Sequence, residues 1–125
     1  MDFTFKKEER LCSRRLIDQL YEEGHRLMAF PYSVQWMVIG KSHADTPCQV
    51  LIVAPKRKFH HAVDRNRAKR QVREAYRLSK QQLWPSVADD QSLAIAFIWM
   101  SDKPRQSHRV SQSVNQILHQ IAVQL

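Results

Sequence analysis

Ten basic side chains fall within one short stretch: Lys56, Arg57, Lys58, Arg65, Arg67, Lys69, Arg70, Arg73, Arg77 and Lys80. Only Asp64 and Glu74 oppose them there. The remaining chain holds ten basic and ten acidic residues, so the whole formal net charge of +8 sits on this stretch. Guanidinium forks match phosphate oxygens two at a time, and each phosphate neutralised releases condensed counterions. A cluster of this size can hold a polyanion at about micromolar strength or better. Asn66, inside Arg65-Asn66-Arg67, adds a neutral donor and acceptor. A solvated charged face is the bland alternative, and it suits a face of mixed sign. Here one sign dominates, and like charges four apart on a helix repel by roughly a few tenths of a kcal/mol each, which calls for compensation from outside the chain.

Other chemistries find less to work with. No G-x-S-x-G turn, phosphate-cradling glycine loop or carboxylate cluster is present, and the acids are scattered mostly among basic partners. No catalytic residue is assigned, and the protein alone is expected to catalyse nothing. Cys12 and Cys48 are too far apart for a zinc knuckle or a redox pair and fit a reducing compartment. The adjacent His60 and His61 diverge and have no flanking ligands at metal spacing, so no metal site is assigned. No apolar run approaches the roughly 20 residues that span a bilayer, and the N-terminus has no secretory apolar region. A cytoplasmic protein without a membrane partner is expected.

At 125 residues, 43% of them hydrophobic, the chain reads as one domain, residues 1–125, with a single core. Phe3 and Phe5 alternate with polar neighbours and are expected to lie extended against that core. Ser13 caps a helix whose apolar positions are Leu16, Ile17, Leu20 and Tyr21, with Gly24 to end it. Tyr32 to Ile39 reads as a strand with Tyr32, Val34, Trp36 and Val38 on one face and Ser33, Gln35, Met37 and Ile39 on the other. Gly40 to Pro47 reads as a hairpin connection to a buried strand, Gln49 to Ala54, which Pro55 ends. The loop Lys56 to His61 leads to the basic helix, capped by Asp64 and running to about Leu83, before Pro85. Its core stripe is Ala68, Val72, Ala75, Tyr76, Ser79 and Leu83. Lys69, Arg73, Arg77 and Lys80 stack beside the stripe, while Arg67 and Arg70 project further round, giving two basic rows. Ser92 to Trp99 forms another strand, Lys103-Pro104 breaks the chain, and Val110 to Leu125 follows helical spacing. This order predicts an α+β sandwich, a small sheet backed by helices.

From Ala62-Val63 through Asp64-Arg65-Asn66-Arg67-Ala68-Lys69-Arg70-Gln71-Val72-Arg73-Glu74 the sequence resembles the bacterial ribonuclease P protein component. The likeness covers nearly the whole chain, from Arg10-Leu11 through the motif helix to the C-terminal helix. It implies a sheet of about four strands with three helices and a left-handed βαβ crossover, against the usual hand. It also implies a ribonucleoprotein endonuclease that removes the 5′ leader of precursor tRNA, with catalytic Mg²⁺ held mainly by a large RNA. By position, Arg65, Arg67 and Arg70, with the loop residues Lys56, Arg57 and Lys58, would face that catalytic RNA. Asn66, Lys69, Arg73 and Arg77 would face the leader or cleavage region, and Tyr21, Ser33 and Gln35 would line a cleft for the single-stranded leader. The chain departs from the family pattern at Pro55, at His60-His61, where the loop is one residue longer, and at Ile17, where an aromatic is common.

Two other readings share the charge pattern. A non-enzymatic RNA-binding module of ribosomal-protein type is opposed by the Arg65-Asn66-Arg67 run and the order of elements. A DNA-binding regulator would need a second short helix or a dimerising heptad beside the basic helix, and neither is present, so no DNA partner is expected.

Overall fold

The computed structural model describes residues 9–40, 46–101 and 105–125. Phe3, Phe5, the centre of the Gly40 to Pro47 connection and the Lys103-Pro104 break lie outside the described residues. The elements run α1 (Arg14–Glu23), β1 (His25–Ala29), β2 (Tyr32–Gly40), β3 (Cys48–Val53), α2 (Ala62–Ser79), β4 (Gln91–Trp99) and α3 (Ser107–Gln124). The architecture is α+β: three helices about one four-stranded sheet of order β1-β2-β4-β3.

β2 pairs antiparallel with β1 and β4, whereas β3 runs parallel to β4 and reaches it through α2. This corrects the hairpin expected between β2 and β3, because β4 lies between them. The true hairpin joins β2 to β1, turning at Phe30-Pro31. β1 has no counterpart in the sequence reading. Its residues include no β-branched side chain, and only Leu27 and Ala29 are even half buried, so it carries almost no alternation to read.

Period-two alternation divides the sheet into two apolar faces. Tyr32, Val34, Trp36, Val50, Ile95, Phe97 and Trp99 pack against Val72, Ala75 and Tyr76 of α2 and Val110, Val114, Ile117 and Ile121 of α3. On the opposite face Met37, Ala94 and Ala96 meet Leu16 and Leu20 of α1 and Leu11 before it. Ser13 caps α1, its Oγ accepting the Leu16 N–H at 3.4 Å. Gly24 ends the helix in extended rather than left-handed backbone, so its small size serves a close approach. A Cβ there would press into the Leu20 carbonyl and lie 3.3 Å from the Trp36 carbonyl.

α2 departs from expectation at both ends. It begins at Ala62, two residues before Asp64, with His61 at the cap position, and Asp64 sits in the first turn with its charge toward the positive end of the helix dipole. After Ser79 the chain tightens into two single 3-10 turns, Lys80–Gln82 and Trp84–Ser86. Among the described residues no helix is long and apolar enough to cross a membrane.

Candidate nucleic-acid interface

Because Ala68, Val72, Ala75 and Tyr76 are held against the sheet, the helical period dictates where the basic residues of α2 emerge. Lys69 and Arg73 come out on the shoulder toward β3. They line a cleft of about 170 Å³ whose other walls are Arg10, Leu11 and Cys12 and whose floor is Val50 to Ile52. Arg67 and Arg70 emerge on the opposite shoulder, beside Gln71, Glu74 and Ser107 of α3. The two expected rows are therefore physically separate, each bordering its own groove.

Arg73 carries the clearest electrostatic signature. Partial burial, reinforced by the positive charges of Arg10 and Arg70, pushes its guanidinium pKa below the ordinary arginine value. The group stays charged at any physiological pH, so the shift registers cationic crowding rather than deprotonation.

The other predicted residues fall in different settings. Arg65 turns back on its own loop, donating from Nη1 to the Phe59 carbonyl at 3.0 Å and the His60 carbonyl at 3.4 Å. It thereby fixes the entry to α2. Asn66 is exposed in the first half of the helix. Arg77 donates from Nε to Glu74 Oε2 at 3.1 Å, and its Nη2 also meets Glu74 Oε1, so part of its charge is neutralised locally. Lys56 and Arg57 are exposed and Lys58 half buried. Their loop is pinned by the Lys58 and Phe59 N–H groups donating to the Pro55 carbonyl, both at 3.0 Å, and by Phe59 packed edge-on against Trp99.

Lys80 leaves the basic row altogether. It is 1% exposed, its Nζ lies 2.8 Å from Oε1 of Glu9, itself 2% exposed, and it stands 4.5 Å over the Trp84 ring. Charge counting assigns it outward because its partner lies at the far end of the chain; the 3-10 turn after Ser79 swings it in.

Tyr21 stands on α1, 39% exposed, with burial raising its phenol pKa. Ser33 and Gln35 lie on the sheet face that α1 packs against, in register with Ile98 and Ala96 of β4. α1 covers the end of that face around Met37 and Ala94. Gln35 is 6% exposed, and its Oε1 has no hydrogen-bond partner among the described residues.

The residue that sequence reading misses is Arg10. It pairs with Val50 at the open edge of β3, and the Leu11 N–H donates to the Val50 carbonyl at 2.9 Å, which brings Arg10 to the Lys69–Arg73 shoulder. Counting charge along the chain assigns Arg10 to the neutral remainder; only tertiary pairing moves it. Among the described residues no three His, Cys, Asp or Glu side chains converge to hold a metal ion.

A family model described as Ribonuclease P matches residues 5–122. A Ribonuclease P protein component of Porphyromonas gingivalis is 36% identical over 121 residues, covering 96% of this chain and 88% of its own length. One from Symbiobacterium thermophilum is 44% identical over 82 residues, covering 66% of this chain and 64% of its own. Among solved structures, the RNase P protein of Staphylococcus aureus superposes with a TM-score of 0.70 at 19% identity, over 90% of this chain and 94% of that one. The RNase P protein from Thermotoga maritima superposes at 0.71 and 22% identity, over 90% of this chain and 96% of its own.

Proposed function

This chain belongs to the ribonuclease P protein family, and on that premise we propose that it is the cytoplasmic protein subunit of an endoribonuclease that removes the 5′ leader of precursor tRNA, gripping a catalytic RNA and that leader together. What carries the reading is the family match across residues 5–122, joined to a long helix with cationic shoulders facing separate grooves. Arg67 and Arg70, with Arg65, Lys56, Arg57 and Lys58 nearby in sequence, meet the backbone of the catalytic RNA. Asn66, Lys69, Arg73 and Arg77 meet the precursor near its cleavage site. Tyr21, Ser33 and Gln35 border the path of the single-stranded leader, where an aromatic ring can stack on any base.

The chain works by positioning and charge. Fixed guanidinium and ammonium groups offset the repulsion between two polyanions, and the packed sheet holds those groups in place before either RNA arrives. Arg and Lys in the cleft repel a divalent cation, so we assign Mg²⁺ to the RNA partner and derive no step through it on this chain.

The test is to mix the purified protein with a bacterial catalytic RNA and end-labelled precursor tRNA at Mg²⁺ too low for the RNA to work well alone. Leader release is expected only from the mixture. No stimulation, together with binding to that RNA no tighter than to an unrelated duplex, would overturn the reading. Arg73→Ala probes the leader contact: it should weaken leader-bearing precursor more than leaderless tRNA, and an equal effect on both removes that contact.

A further inference from the structure

We propose that Arg10, Lys69 and Arg73 form a single phosphate-binding site for an RNA strand, built jointly by the segment before α1 and the β3-facing shoulder of α2. The proposal rests on the function above and adds to it a residue outside the basic helix.

Arg10 is held in place from both sides. Its neighbour Leu11 donates to Val50 at 2.9 Å, and its other neighbour, Glu9, is locked inside against Lys80 at 2.8 Å. The backbone is thus anchored by buried contacts while the Arg10 side chain stays exposed in the cleft. No carboxylate lines that cleft among the described residues. Arg10 and Arg70 both bear on the partly buried Arg73, so like charges gather where desolvation already penalises them. Structures tolerate such crowding where an anion relieves it, and the apolar floor from Val50 to Ile52 lowers the local dielectric and strengthens that attraction. The anion of fitting chemistry is a phosphodiester, supplied by either the leader or the catalytic RNA.

Cys12, on the same wall, supplies a built-in probe. It is exposed, whereas Cys48 is buried with its thiol pKa pushed up to about 12 by that burial, so a thiol reagent marks Cys12 alone. Binding of the full chain to catalytic RNA and, with that RNA present, to precursor tRNA would be measured over a range of salt. Arg10→Gln is expected to weaken one of these affinities roughly tenfold and to flatten the slope of log K against log salt by about 0.7 to 0.9. Arg10→Lys should keep the slope. Arg10→Gln combined with Arg73→Gln should lose less than the product of the single losses, because the two share a phosphate. A short photoreactive group on Cys12 should cross-link to the leader or to the catalytic RNA, identifying which supplies the phosphate. Unchanged slopes for both RNAs, or no adduct with either in the assembled complex, would overturn the site. If the wild type stimulates leader release while Arg10→Gln binds like wild type, this inference alone fails; if the wild type does not stimulate, the function itself falls.

Discussion

Replacing Lys80 by methionine tests how the fold carries a buried charge. Lys80 and Glu9 are 1% and 2% exposed, with Nζ and Oε1 2.8 Å apart. Methionine nearly matches the aliphatic stem in volume, so little cavity cost is expected. What remains is a carboxylate deep in the protein without its ammonium, worth about 3–5 kcal/mol of destabilisation. Loss of the cation over Trp84 adds to it, by up to about 2 kcal/mol. Glu9→Gln should cost a comparable amount from the other side. The double variant Glu9→Leu, Lys80→Met removes both charges and should return to within about 1 kcal/mol of wild type or exceed it, because neither ion then has to be desolvated. Urea unfolding followed by circular dichroism measures all four proteins, and the single variants should melt roughly 10 to 20 °C lower. Two results would refute the reasoning: single-variant losses below about 1 kcal/mol, the range of a surface pair, or a double variant no more stable than the singles.

Three further outcomes follow from the structure. Gly24→Ala should cost about 1–3 kcal/mol by thermal melting, because its Cβ meets backbone oxygens of Leu20 and Trp36 that cannot step aside; a neutral result would show that the α1–β2 junction can shift. Titration with a thiol reagent near pH 8, read by mass spectrometry of peptides, should modify Cys12 and leave Cys48 unmodified until the protein unfolds; early labelling of Cys48 would contradict its burial against the Tyr76 side. Hydrogen bonding from Arg77 lowers the Glu74 pKa, so the pair's stabilisation is complete above the ordinary carboxylate pKa and fades as pH falls through the lowered one. A Glu74 midpoint by carbon-detected NMR at or above that of a peptide glutamate would remove the pair, and Glu74→Gln should lack this acid-side decline.

Much of the architecture is legible in the sequence because it follows from local periodicity. Ser13, the alternation in Tyr32 to Ile39 and the stripe from Ala68 to Tyr76 each state their element without outside help. What stays hidden depends on partners distant in the chain. β1 is a strand because β2 supplies its ladder, not because His25 to Ala29 prefer extension. The place of β4 between β2 and β3 depends on the crossover through α2, which no local pattern encodes. Lys80 and Arg10 exchange roles for the same reason: Glu9 draws one inward and the β3 edge draws the other to the cationic shoulder. Residue type and helical spacing place Lys69 and Arg73 correctly on one side and Arg67 and Arg70 on the other, since a packed helix leaves its outward residues little choice.

The position of β4 has a bearing on the order in which a growing chain can fold. β2 and β3 are both made before β4, yet neither pairs with the other in the finished sheet; each waits for the same later partner. Until Gln91 to Trp99 leaves the ribosome, one edge of each strand stands open and the inner core lacks Ile95, Phe97 and Trp99. The charged helix therefore emerges before the sheet that will orient it, and a nascent chain stalled short of Gln91 would present cationic side chains without fixed geometry. Recognition that depends on the two shoulders being held apart is thus acquired late in synthesis, when the last strand closes the gap.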